Sequence, residues 1–227
     1  VSKSLKNDTL RLFDITTKID VITNFIDIKK IEAKVMPCKR DLLAPKSHKI
    51  ITHISNFRPL KRIQDVIKIF EKILPTVPSK LLMVGEGPEK QKAMDYVKKN
   101  GLTESISFLG NSNEIDKILC YSDLFLLPSE KESFGLSALE AMANKVPVIS
   151  SNAGGIPEVN KDKFSGYLSD VGDLDGMAKN ALLLLQDDTK LKQFKEQAKE
   201  QASLFDIDSV ISQYEAVYSE AIAAYQF

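Results

Sequence analysis

Apolar positions along the chain fall into short unbroken runs, separated by stretches in which they recur at helical spacing. The runs at 49–55, 80–84, 106–109, 124–127 and 146–150 are β-branched or apolar almost throughout and are flanked by Gly, Pro, Asn or Ser. They predict strands that are apolar on both faces, as in a parallel sheet covered on both sides. Between them the spacing predicts helices over 60–74, 88–100, 113–120 and 136–144. In the first of these, Ile63, Val66, Ile67, Phe70 and Leu74 form one apolar stripe. Pro88 stands where a first-turn proline belongs, and Gly101 where a glycine closes a helix. The alternating order predicts an α/β fold with a doubly wound, right-handed, Rossmann-like parallel sheet.

The two ends read differently. Residues 1–28 predict a helix over 1–13 and a strand over 19–22, the remnant of a preceding acceptor-side domain. The charged stretch 29–49 holds Pro37 and Pro45 and reads as a loop-like linker, with the domain boundary placed at 29–46. The core unit is expected over 47–205. Helices are expected at 174–185, 189–204 and 209–225. In the last helix, 206–227 in the domain division, Ile211, Tyr214, Tyr218, Ile222 and Tyr225 make a stripe that needs a partner surface. A second copy of the chain is one such partner. The apolar burst at 181–185 is far short of the roughly 20 residues of a membrane-spanning helix.

Composition narrows the function. In 227 residues, 43% are hydrophobic, and 31 Lys+Arg balance 31 Asp+Glu. That excludes a disordered chain, and it argues against a nucleic-acid binder relying on broad phosphate neutralisation. Cys38 and Cys120 are too few for a disulfide framework, which points to a reducing, cytoplasmic setting and to buried or inert thiols. The chain opens on Val1, and two domains of about 100–200 residues each exceed its length, so a C-terminal fragment is expected.

The chemistry concentrates in 129–143, which leaves the fourth predicted strand at the carboxyl end of the sheet, where open α/β folds bind ligands. The loop feeds a helix beginning near Gly135. The N–H groups of Phe134, Gly135 and Leu136 have no helical partner there. They suit an anion, with the helix dipole adding roughly 0.3–2 kcal/mol. Glu140 falls on the inward side of this helix beside Leu136 and Ala143. An ionised carboxylate so placed is costly unless it accepts hydrogen bonds, and vicinal ribose hydroxyls would supply them. A lysine partner is the plain alternative, and Glu132 reads equally well as an exposed loop carboxylate.

The phrases Ser55-Asn-Phe-Arg-Pro-Leu-Lys-Arg, Leu82-Met-Val-Gly-Glu-Gly-Pro, Phe108-Leu-Gly, Tyr121-Ser-Asp-Leu-Phe-Leu-Leu-Pro-Ser, Glu132 to Glu140 and Asn152-Ala-Gly-Gly-Ile-Pro-Glu occur in this order. Together they resemble the donor-binding, C-terminal half of a retaining GT-B glycosyltransferase of family four, most clearly over 53–167. Within that family, they look most like the branch serving bacillithiol synthesis. The resemblance implies a transferase that moves N-acetylglucosamine from UDP-GlcNAc to L-malate, with no metal or other cofactor.

It also implies roles. Glu140 would hold the ribose and Glu132 the hydroxyls of the donor sugar. Ser133, Phe134, Gly135 and Leu136 would cradle the diphosphate and sugar. Arg58 and Lys61 would neutralise the departing diphosphate. The wider family spaces these cations as Arg, four residues, Lys, whereas here Arg58 lies three before Lys61 with Arg62 adjacent. Gly85 and Gly87 read as a tight β-to-α turn or as a wall of the nucleotide site. Leu109 and Gly110 read as a plain turn or as backbone meeting the uracil. The Gly154-Gly155 pair implies close backbone approach near the cleft or a structural turn. A UDP-sugar epimerase and a non-catalytic nucleotide-sugar module are the competing readings.

His48 and His53 lie at no metal-ligand spacing and read as structural or surface residues. Asp173-Leu-Asp175 precedes a helix and reads as its cap.

Overall fold

The computed structural model describes residues 1–33, 40 and 43–224. Six parallel strands form one sheet in the order β3-β2-β1-β4-β5-β6. They are β1 (Lys49–Ile54), β2 (Ser79–Val84), β3 (Ile106–Gly110), β4 (Leu124–Leu127), β5 (Val148–Ser151) and β6 (Gly166–Ser169). The first five coincide with the apolar runs. The sixth, opened by a glycine and only four residues long, has no such run to announce it. The α/β Rossmann-like class is therefore as expected.

Alternation along each strand divides the core between the two faces of the sheet. Ile50, Leu82, Phe125 and Val148 pack on one side with α6 (Leu136–Ala143) and α9 (Asp188–Ser203). Ile51, Leu81, Leu126 and Ile149 pack on the other with α3 (Ile63–Ile73), α4 (Lys90–Lys99) and α8 (Leu174–Leu185). Each fully buried aliphatic or aromatic side chain contributes about 1.5–3 kcal/mol. The remaining helices are α1 (Lys3–Leu12), α2 (Ile28–Ala33), α5 (Ile115–Tyr121), α7 (Ile156–Val159) and α10 (Ile207–Ala224).

Four expectations need correction. The helix expected over 60–74 is two pieces: a 3₁₀ turn, Pro59–Lys61, and then α3, with Arg62 between them in the left-handed region at φ 52°. The apolar stripe is present, but Leu74 lies beyond the helix and is only half-buried. No strand forms at 19–22. That segment forms no ladder, and the nearest pairing is a single bridge between Ile26 and Asp206. The stretch expected as loop opens with α2, whose Ile28 is buried. Cys120 is exposed on α5 and disulfide-bonded rather than a buried or inert thiol. Cys38, Pro37 and Tyr225 lie outside the described residues.

Helix α1 is anchored on the main body. Ser2 caps it through its hydroxyl, and the Glu158 carboxylate accepts from the amides of Lys3 and Ser4 at 2.9 and 2.8 Å. At the other end, Tyr214 of α10 meets Phe25 edge-on, while Ile211, Tyr218 and Ile222 remain exposed. No helix among the described residues is long and apolar enough to cross a membrane.

Candidate functional site

The order of the strands reverses between β1 and β4, and a parallel sheet opens a crevice at the carboxyl ends of the strands at such a point. A cleft of about 650 Å³ lies there, walled by Ser55 and Asn56 after β1, Gly85 after β2, Asn111 to Asn113 after β3, and Glu132, Leu136 and Glu140. Lys61 reaches it because the chain turns at Arg62. The 3₁₀ turn directs Lys61 into the cleft while α3 packs its own apolar face on the sheet.

Glu132 is not the exposed carboxylate its loop position allows. Its side chain is 10% exposed and lies 2.5 Å from Lys61 Nζ, with the Ser129 hydroxyl donating to the same oxygen at 3.0 Å. The Gly154-Gly155 turn holds it there. Gly155 N–H donates to the Glu132 carbonyl at 2.9 Å. A Cβ on Gly154, whose φ is +56°, would fall 2.0 Å from that same carbonyl oxygen. Close backbone approach is therefore what this pair supplies.

Helix α6 begins at Leu136, after Gly135 at φ +98°. Among the described residues, the N–H groups of Phe134, Gly135, Leu136 and Ser137 donate to no protein acceptor. Glu140 lies one turn deeper and lines the cleft instead of entering the core. No described side chain is paired with it. Burial, reinforced by the negative charge of Asp116, raises its carboxyl above the ordinary range.

The expected site residues separate into three groups. Gly85, Leu136, Lys61, Glu132 and Glu140 come together in the cleft. Arg58, exposed, and Ser133 line an adjoining cavity of about 490 Å³ against α1, which shares Asn56, Lys61 and Glu132 with the first. Gly87, Leu109, Gly110, Phe134 and Gly135 stand apart from the lining. Gly87 lies against the backbone of Phe57, and Leu109 is 38% exposed. The Gly110 carbonyl accepts from Gly85 N–H. The Phe134 ring is buried against Phe205, so only the backbones of Phe134 and Gly135 are placed to act.

Ser55, Asn56, Ser112, Asn113 and Ser137 also line the cleft, though the sequence reading did not single them out individually. Their signal was positional: each lies just beyond a strand end or in a helix first turn. Asp173 does cap α8, accepting from Gly176 N–H at 2.8 Å, and Asp175 pairs with Lys72. Among the described residues, no group of three or more His, Cys, Asp or Glu is placed to hold a metal.

The first turn of α6, with its unpartnered amides among the described residues, and the Glu140 carboxylate lie together at the point where the strand order of a doubly wound sheet reverses. The chain belongs to the family of glycosyl transferases group 1, which it matches over residues 38–201. It is 42% identical to the N-acetyl-alpha-D-glucosaminyl L-malate synthase of Bacillus anthracis, over 98% of this chain and 59% of that protein. The chain thus spans little more than half the length of that relative.

Solved structures agree. Staphylococcus aureus TarM, determined as a point mutant with fondaparinux, alpha-GlcNAc-glycerol and UDP, superposes with a TM-score of 0.83 at 26% identity, covering 96% of this chain and 43% of TarM. Anabaena HepE, determined with UDP and glucose, gives 0.87 at 24% identity, covering 96% of this chain and 62% of that one, a likeness of fold. The fold is the C-terminal half of GT-B.

Proposed function

We propose that this cleft binds UDP-N-acetylglucosamine, and that in the longer arrangement of its relatives the domain serves transfer of N-acetylglucosamine to L-malate with retention at the anomeric carbon. The observation that carries the reading is the convergence on one cleft of the amides at the start of α6, the Lys61 cation and the Glu140 carboxylate, the amides and the carboxylate having no protein partner among the described residues. The amides and Lys61 take the diphosphate, and Glu140 takes the ribose hydroxyls. Glu132, already turned into the cleft, takes hydroxyls of the hexose. Arg58 approaches the diphosphate from the adjoining cavity.

The reaction breaks the bond between the anomeric carbon and the UDP oxygen, and negative charge grows on the diphosphate as it leaves. Fixed donors aimed at that charge lower the barrier, and helix amides together with one or two cations are such donors. On this proposal the step runs without a metal, and the 227-residue chain alone binds the nucleotide sugar without turning it over. The sugar and acceptor in this reading are those of similar proteins: a relative is named an N-acetyl-alpha-D-glucosaminyl L-malate synthase, and TarM was solved with UDP and alpha-GlcNAc-glycerol.

The test is a titration of this chain with UDP-, GDP- and ADP-sugars, following backbone amide resonances. The expected result is that UDP-GlcNAc shifts Leu136, Ser137 and Glu140 most strongly. Shifts confined to residues remote from the cleft, or equal responses to all three nucleotides, overturn the assignment.

A further inference from the structure

His53, near the end of β1, is wholly buried and bonded through both ring nitrogens. β1 pairs with β4 only at Ile51–Leu124 and Thr52–Phe125. One residue further on, the imidazole takes over, its Nδ1 lying 2.8 Å from the Leu126 carbonyl oxygen. A carbonyl oxygen can only accept, so Nδ1 carries a proton. Burial, opposed by that carbonyl and helped by the nearby charge of Lys61, lowers the ring's pKa to about 4. At neutral pH the ring is therefore uncharged, and its second nitrogen, Nε2, holds a lone pair. Nε2 lies 2.7 Å from the Ser55 hydroxyl, so Ser55 donates to it. Phe57 and Phe125 flank the ring, with centroids 6.1 and 6.4 Å away.

Ser55 also lines the cleft. We propose that His53 holds the single proton of Ser55 inward, so that Ser55 offers the cleft only lone pairs and serves as a specificity-determining acceptor for a sugar hydroxyl. The inference rests on the donor-site reading and adds a polarity to it. A phosphoryl oxygen brings lone pairs and is repelled at this wall, whereas a hydroxyl is received. The cleft therefore sorts the ligand by hydrogen-bond sense. Acceptors go to Lys61 and the amides of α6, and a donor goes to the end of β1. His53 acts through Ser55 and is a positioning residue.

Nitrogen-15 NMR of this chain, which holds only His48 and His53, reads the tautomer directly. The expected signature for His53 is a protonated Nδ1 and a bare Nε2 at neutral pH. A protonated Nε2 overturns the proposal. The wild type and Ser55→Ala are then titrated with UDP-GlcNAc, UDP and inorganic pyrophosphate. The alanine variant should bind UDP-GlcNAc about three- to tenfold more weakly, the worth of one neutral hydrogen bond, and pyrophosphate as before. A matching loss for UDP assigns the hydroxyl to ribose, and a loss confined to UDP-GlcNAc assigns it to the hexose. Equal loss for all three ligands, or for none, overturns the proposal. If Ser55→Ala does not fold, Ser55→Cys, a poor acceptor of similar size, carries the same expectation. Failure of the wild type to bind either nucleotide removes the donor-site reading, while the tautomer measurement still decides which way the hydroxyl points.

Discussion

Replacing Glu140 by alanine separates a ligand-binding carboxylate from a structural one. The side chain lines the cleft, has no described protein partner, and has its carboxyl raised by burial and by Asp116. Removing it breaks no protein interaction and introduces a better helix former into α6, so the melting temperature should hold or rise. UDP binding should suffer. A hydrogen bond to a charged group is worth about 1.5–3 kcal/mol. Two ribose hydroxyls would engage the carboxylate, but it must first shed bound water. A net loss of about 1.5–3 kcal/mol follows, roughly a 10- to 150-fold rise in Kd.

Protons provide a second readout. A folded-state pKa above the unfolded value means that stability from this group is full below the ordinary glutamate pKa and is lost as pH rises through the raised one. The variant should lack that decline. Ribose hydroxyls favour the ionised form, so UDP should expel a proton from the wild type in the same pH interval. Calorimetry in buffers of different ionisation enthalpy measures that release, which Glu140→Ala should abolish. Unchanged UDP affinity together with lost stability would refute the reasoning, because Glu140 would then be a structural residue.

Other expectations concern the surroundings of the cleft. Lys61→Met should weaken pyrophosphate and UDP binding at least about tenfold, as loss of a charge-assisted contact implies, whereas the exposed Arg58→Met should cost less; titration of both variants decides. Gly154→Ala should destabilise the fold by about 1–3 kcal/mol and weaken the UDP-sugar more than UDP, because the new Cβ displaces the Glu132 carbonyl; denaturant melts and binding assays report the two effects. Asp123 is a structural counterpart: burial alone would raise its pKa, but the Arg40 hydrogen bond, the Lys195 charge and the Ile50 amide outweigh it and lower it. Its contribution is present above the ordinary aspartate pKa and is lost as pH falls through the depressed one, so Asp123→Asn should lower neutral-pH stability by about 1.5–3 kcal/mol and flatten the acid limb of the unfolding curve. If α10 carries self-association, Tyr218→Ser with Ile222→Ser should abolish a dimer seen by sedimentation at high concentration; identical monomeric profiles for wild type and variant exclude that role.

The core strands were legible because a strand covered on both faces has to be apolar at every position, as Leu124 to Leu127 are. The helix start after Gly135 was legible because a glycine there demands an explanation, but Glu140 does not face the core: it and Leu136, which is exposed, line the cleft. The break at Arg62 was not legible. Nothing in its side chain marks the left-handed region, which the tertiary structure imposes. The strand β6 escaped because Gly166-Tyr-Leu-Ser is too short and mixed to stand out. The pairing of Glu132 with Lys61 joins residues 71 apart and exists only once β1 and β4 lie side by side. The polar lining from Asn111 to Asn113 carries no periodic pattern, so its importance comes from its place beyond β3.

The contact between Lys61 and Glu132 bears on how a spent nucleotide departs. One ammonium faces both a resident carboxylate and, on the proposed reading, an incoming diphosphate, so the two anions compete for it. An intact nucleotide sugar eases that competition, because its hexose hydroxyls give Glu132 other donors. Once the hexose has been handed on, UDP keeps its claim on the cation while the carboxylate has lost its compensation. On the proposed reading, the pair makes UDP a poorer occupant of the cleft than the intact nucleotide sugar.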